Sequence, residues 1–244
     1  MKILAIESSS LVASAAIVND DILVAEYTVN HKVTHSQTLL PMIDEILTMT
    51  QTDKRSIAAI AVSGGPGSYT GLRIGSATAK GLGMALDIPL IHVPTLDAMA
   101  YNAYGYAGLV CPIMDARRKQ VYTGLYQFED HKLKVTEDQM AIPMEQMIEK
   151  LNHYQKPVTF LGDGVPVFKE MIQENLKVPY TFAPAHVNKQ RAAAVAALGM
   201  EYYRQGRIQT AEEHIPDYLR LSQAERERAE KEKAQTATAS GDKS

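Results

Sequence analysis

Residues 64–75 read GGPGSYTGLRIG, and seven of the chain's fifteen glycines fall between Gly64 and Gly83. The apolar run SIAAIAVSG precedes them, and from Tyr69 to Leu86 the spacing is helical. The order strand, glycine turn, helix aims backbone N–H groups and the positive end of a helix at one point, which is the geometry of an anion site. A phosphate there would lie against Gly64, Gly65, Gly67 and Ser68. The motif is not a Walker A loop, because Gly71 is followed by Leu72 and Arg73 where that loop needs Lys and then Ser or Thr. It also lacks the GxGxxG spacing, with an acidic residue about 20 positions on, of a dinucleotide fold.

The glycines continue past the turn. Gly71, Gly75, Ala79 and Gly83 are four apart and share one helical stripe, while Ala77, Gly81 and Ala85 form a neighbouring one. Each interior glycine costs about 0.5–1 kcal/mol relative to alanine, so close packing of another backbone is needed to offset it. Two neighbours would serve: the chain's own sheet, or a helix of a second molecule. The amphipathic segment before the turn carries Leu39, Met42, Ile43, Ile46 and Met49 at helical spacing. With Gly71, Leu72, Gly75, Ala79 and Gly83 it makes an expected docking surface. On that reading Gly75→Leu abolishes pairing and leaves the fold intact.

Working outward, KILAIESSS, VASAAIVND and DILVAEYTVN read as three strands joined by turns. A helix begins close to Gln37, since Pro41 suits only a first turn. The apolar strand, the glycine helix, PLIHV and a helix over 95–104 follow. LVCPIMDAR then starts a second pass of the same order: three strands, a helix over MEQMIEKL, the strand VTFLGDG and a helix over VFKEMIQENL. A helix over 188–205 follows, and Ile208 to Leu221 closes the globular part. This divides the chain into a lobe over 1–104, a lobe over 105–222 and a charged, disordered tail over 223–244.

The chain has 244 residues, 45% of them hydrophobic, and a formal net charge of -3, so it has no overall basic field and does not read as a stand-alone nucleic-acid binder. The one cysteine, Cys111, has no partner for an internal disulfide and reads as a small core residue. Neither a secretory leader nor a membrane span is legible, which predicts a cytoplasmic protein without membrane contact.

SGGPGSYTGLRIG resembles, almost letter for letter, the signature of the TsaB (YeaZ) family. KILAIESS, HSQTLLPMI at 35–43, MDARRKQVY at 114–122, GDG at 162–164 and PDYLR at 216–220 extend the likeness over residues 1–222. The resemblance implies a two-lobed α/β fold of the acetate kinase, sugar kinase and actin-like (ribonuclease H-like) type. It implies a non-catalytic activator in the formation of threonylcarbamoyladenosine beside the anticodon of tRNAs reading codons that begin with A. The implied partners are the catalytic paralogue TsaD, the ATPase TsaE, a second copy of the chain in isolation, and tRNA indirectly through the complex. No cofactor is expected to bind tightly, with ATP or ADP entering only in the complex.

TsaD-like proteins hold a metal with a His-x-x-x-His pair, and the matching positions here are Thr95 and Met99. Neither suits a site of nitrogen and carboxylate donors. His31 and His35 have the spacing of a helical metal pair without a nearby acidic ligand, and His35 reads instead as a polar residue partnering backbone at a helix start. Glu7 and Ser8 fall where a kinase-like fold sets an acid and a hydroxyl against phosphate. The alternative that follows is an ATP-dependent kinase or ATPase with nucleotide between the lobes, against a turn-stabilising role for Glu7. Arg117, Arg118 and Lys119 form the clearest basic cluster, and on a hairpin such a cluster reads as a solvated face.

Overall fold

The computed structural model describes residues 1–31 and 34–219; the tail over 223–244 and Lys32-Val33 lie outside the described residues. Strands β1 (Lys2–Glu7), β2 (Val12–Asn19) and β3 (Ile22–Asn30) pair antiparallel in succession, β1 with β2 and β2 with β3. They are followed by α1 (His35–Met49), β4 (Ile57–Ser63), α2 (Tyr69–Leu86) and β5 (Leu90–Val93), in sheet order β3-β2-β1-β4-β5. A helix α3 (Thr95–Tyr101) leads to β6 (Leu109–Asp115), β7 (Gln120–Glu129), β8 (Lys132–Pro143), α4 (Met144–Tyr154), β9 (Val158–Leu161), α5 (Val165–Asn175) and β10 (Tyr180–Phe182). Their order, β10-β9-β6-β7-β8, is that of the first sheet read from the other edge. The chain therefore has the two-lobed acetate kinase, sugar kinase and actin-like architecture.

Strand β10 was not legible in the sequence: three residues are too few to show a period of two. Helix α1 begins at His35, two residues before the expected start, and carries Pro41 inside it. Pro41 and Gln37, whose carbonyl loses a bond, both face solvent, where water can take its place. Among the described residues no helix is long and apolar enough to cross a membrane.

The central strands are covered on both faces, as parallel pairing of β1 with β4 demands. Leu4, Ile6, Ile60 and Val62 meet Leu39, Met42, Ile43 and Ile46 of α1 and Ala79 of α2. The opposite face bears Ala5, Ala16, Ala59 and Ala61 against α6 (Ala192–Arg204). Small residues on both sides let this helix lie very close: a Cβ at Gly199 would stand 2.8 Å from that of Ala61. Chain order assigns α6 to the second lobe, but it packs on the first sheet. Conversely, Leu96, Met99 and Ala100 of α3 pack with Val110, Met114, Tyr126 and Leu161 of the second lobe. Asp97 fastens this exchange, accepting hydrogen bonds from Tyr126 Oη (2.8 Å) on β7 and Tyr202 Oη (3.1 Å) on α6. Burial raises its carboxyl above the ordinary value and outweighs the opposing effect of the two phenols.

The expectation that the glycine stripe of α2 lies bare for a visiting helix is corrected. Gly71, Leu72, Gly75, Ala79 and Gly83 are all buried. A Cβ at Gly71 would overlap the Ser8 carbonyl, one at Gly75 the Ser8 hydroxyl, and one at Gly83 would come within 3.0 Å of Leu90. Leu39, Met42, Ile43 and Ile46 are likewise core, whereas Met49 is exposed. The missing side chains admit this chain's own β1 turn. Gly75→Leu therefore falls on the fold itself, against the expectation that it spares the fold. Gly81 differs, since a Cβ there would meet nothing within 4 Å among the described residues.

After α6 the chain returns to the first lobe, where Leu90 and Gln209 exchange backbone hydrogen bonds of 2.9 and 3.0 Å. Lys80 Nζ donates to the carbonyls of Glu212 (3.4 Å) and His214 (3.0 Å). His214 is buried, with Nδ1 2.6 Å from Gln209 Nε2. Burial first, then the charges of His92 and Lys80, lower its pKa to about 4.

Two measurements check these assignments. By denaturant unfolding, Gly71→Ala is expected to cost about 1–3 kcal/mol because a backbone carbonyl blocks the added methyl, while Gly81→Ala gains about 0.5–1 kcal/mol from helix propensity. His214 binds its proton less well folded than unfolded, so the stability of its neutral form is fully present above pH 6.5 and is lost as pH falls towards 4. Unfolding free energy should drop by roughly 2–4 kcal/mol across that window, and less steeply in His214→Gln.

Candidate functional site

The turn between β4 and α2 is filled by protein. Gly64 N donates to Val93 O (2.8 Å), and Ser68 N donates to Ser9 O (2.6 Å). Gly65 N donates to Thr95 Oγ1 (3.2 Å), and Gly71 N takes Ser68 Oγ (3.3 Å) as the side-chain cap of α2. Four amides around the turn, those of Gly64, Gly65, Ser68 and Gly71, are thus bonded within the chain. A Cβ at Gly67 would strike the Ser9 carbonyl and one at Gly64 the His92 ring. Gly65 has φ 121, a conformation that suits glycine alone.

The segment from Ile208 to Leu219 closes over this turn. Asp217 N donates to Gly64 O (2.6 Å), and Asp217 Oδ2 lies 3.0 Å from His92 Nε2. The Tyr218 ring sits 4.9 Å from that of Tyr69, and Arg73 Nε donates to its hydroxyl (3.4 Å). Sequence reasoning did not connect Asp217, Tyr218 and His92 with the turn. The signal available was PDYLR, a conspicuous motif with no visible partner.

Glu7 is buried, and its Oε1 accepts from both Ser9 N and Ser9 Oγ at 2.6 Å. Burial raises its pKa; the bonds from Ser9 act in the other direction. Ser8 Oγ donates to Gly71 O (2.9 Å), tying the β1 turn to the first turn of α2. These hydrogen bonds tie both residues into the turn that follows β1.

Thr95 and Met99 are fully used internally, the first as acceptor for Gly65 N and the second with its methyl against Gly162. His35 lies buried at the start of α1 with Nε2 2.7 Å from Ser10 O, the backbone role expected of it, and His31 is exposed. Among the described residues no group of three or more His, Cys, Asp or Glu side chains gathers as a metal would require. Cys111 is a core residue whose thiol is pushed up to about 12 by burial.

What α1 and α2 turn outward is a different set. Leu40 (53%), Met49 (74%) and Met84 (64%) are exposed, with Ala77, Gly81 and Ala85 exposed along α2. The two helices pack against each other, so both outer faces belong to the same side of the first lobe.

Residues 24–228 match the family model described as TsaD: tRNA N6-adenosine threonylcarbamoyltransferase. The tRNA threonylcarbamoyladenosine biosynthesis protein TsaB of Bacillus subtilis is 36% identical over 235 residues, covering 96% of this chain and 100% of that protein. The protein of the same name from Escherichia coli is 30% identical over 223 residues, covering 90% and 95%. YeaZ from Pseudomonas aeruginosa superposes with a TM-score of 0.77 at 25% identity, covering 89% of this chain and 99% of that one. With this extent of likeness on a shared fold, the chain belongs to the TsaB (YeaZ) family of tRNA threonylcarbamoyladenosine biosynthesis proteins.

Proposed function

We propose that this chain is a non-catalytic scaffold in the formation of threonylcarbamoyladenosine on tRNA in the cytoplasm, pairing with the catalytic paralogue TsaD through the outer faces of α1 and α2. The observation that carries this reading is Gly81. It sits inside a helix at a cost of about 1 kcal/mol, and among the described residues no atom outside its own helix and chain neighbours lies where its side chain would be. On the outer faces of the same two helices Leu40, Met49 and Met84 are exposed, large apolar side chains that water does not favour. A partner helix lying close over Gly81 would account for both features at once.

The scaffold would act by favouring TsaD's active arrangement, which requires only that it bind that arrangement more tightly than others. Support for a non-catalytic role comes from the glycine turn, four of whose amides are bonded within the chain, and from Thr95 and Met99, the residues that the family resemblance sets against the paralogue's metal-binding pair. TsaE joins the assembly, ATP or ADP enters only there, and tRNA is held through the complex. The isolated chain pairs with itself across the same face. Mixed with TsaD, with and without TsaE and ATP, the chain is expected to form a heterodimer and restore tRNA modification. Gly81→Leu should keep the fold and lower both complex mass and modification at least tenfold. A Gly81→Leu chain that assembles and activates normally would refute this placement of the interface.

A further inference from the structure

The β6–β7 hairpin carries the densest run of cations in the described structure on a backbone that cations do not favour. Arg117, Arg118 and Lys119 have φ of 66, 54 and 60, three left-handed residues in succession. Left-handed backbone is a conformation that only glycine and, less readily, Asn, Asp and His adopt at little cost. The other hairpin turns of this chain respect that preference: Asp20 occupies it between β2 and β3, and Asp130 and His131 between β7 and β8. Only the β6–β7 turn sets Arg, Arg and Lys there. Local structure alone would select Asn or Gly at these positions, so the positive charge is what the sequence retains.

The turn is also held rigid. Ala116 N donates to Gln120 O (3.0 Å) and Gln120 N to Arg117 O (3.1 Å) across its neck, while Met144 N at the start of α4 donates to Lys119 O (3.2 Å). Asp115 Oδ1 accepts from Arg117 N (2.8 Å), and its Oδ2 lies 3.3 Å from Arg117 Nη1. That carboxylate engages Arg117 and, among the described residues, the ion pairs of this turn extend no further, leaving the exposed Arg118 and Lys119 side chains directed to solvent. Gly164 N donates to Ile113 O (3.0 Å), which brings the Gly162–Gly164 turn against β6 at the root of the hairpin.

We infer that this turn is a direct contact for the phosphate backbone of RNA, made by Arg118 and Lys119. It gives a chain of net charge -3 one local site for a polyanion. A backbone pinned at both ends keeps the two cations side by side at one place on the surface, and contacts to phosphates position the RNA without reading its bases. The inference rests on the proposed function for its choice of RNA over an acidic protein surface, since tRNA is the substrate that reading supplies.

The test uses full-length chain, alone and combined with TsaD and TsaE, with unmodified tRNA as probe. Arg118→Gly with Lys119→Gly relieves the left-handed backbone while removing both charges. The fold should be as stable as before or more so, TsaD pairing unchanged, and tRNA affinity at about 50 mM salt reduced roughly tenfold in both arms. The slope of log affinity against log salt should fall by about 2, one for each cation, and Lys119→Arg should retain binding. Unchanged tRNA affinity and salt slope in both arms would overturn the inference, and so would a selective loss of TsaD or TsaE pairing, which would assign the turn to a protein surface. Failure of the underlying reading looks different: the unaltered chain would form no complex with TsaD, while the arm with the chain alone would still decide the RNA contact.

Discussion

The contact between Ser8 and the first two turns of α2 is the constraint from which the rest of the first lobe follows. Ser8 sits where β1 ends, and its carbonyl and hydroxyl occupy the space that side chains at Gly71 and Gly75 would fill. Its Oγ donates to Gly71 O, a bond between residues 63 apart in sequence. Because the helix lies this near, Ser68 N reaches Ser9 O and the glycine turn closes on itself. The amides of Gly64, Gly65, Ser68 and Gly71 are then committed within the chain. A loop with the local order of an anion site has been converted into a structural joint, and that conversion makes a scaffold role physically coherent.

The joint also fixes which way α2 faces. With its bald stripe against β1, the helix must present Ala77, Gly81 and Met84 outward, as α1 presents Leu40 and Met49. The return of residues 208–219 across the turn, through Gln209, His214 and Asp217, completes this side of the lobe. The two lobes are meanwhile bound by exchanged helices. Asp97 of α3 receives hydroxyls from β7 and from α6, so a single buried carboxylate joins elements as far as 105 residues apart. Removing the carboxylate would strand two largely buried phenols, which is more costly than losing the bonds themselves.

Much of this was legible in the sequence, and the parts that were not share a physical cause. The bounds of α2, Tyr69 to Leu86, follow from glycine chemistry at one end and the onset of a new apolar run at the other. The doubling of the fold follows from the repeated order of strands and helices. Periodicity reports that Gly71, Gly75, Ala79 and Gly83 share a side, but not what lies against it. That neighbour, Ser8, comes from a distant part of the chain, so the stripe was read as open when it is closed. The same limit hid the packing of α6 on the first sheet and the partners of Asp217 and Tyr218. Strand β10 escaped because it is short, and its place in the sheet is given by β9.

The central claim is that the buried stripe of α2 leaves its opposite face free to be gripped by TsaD. Two methionines report on that face, Met49 and Met84, exposed at 74% and 64%, while Met42, Met99 and Met114 are buried and serve as internal references. The most direct measurement is oxidative footprinting of methionine in the chain alone and in the presence of saturating TsaD. The account predicts that oxidation of Met49 and Met84 slows sharply on addition of TsaD while the buried methionines remain unreactive throughout. Equal oxidation rates at both positions with TsaD bound would contradict it.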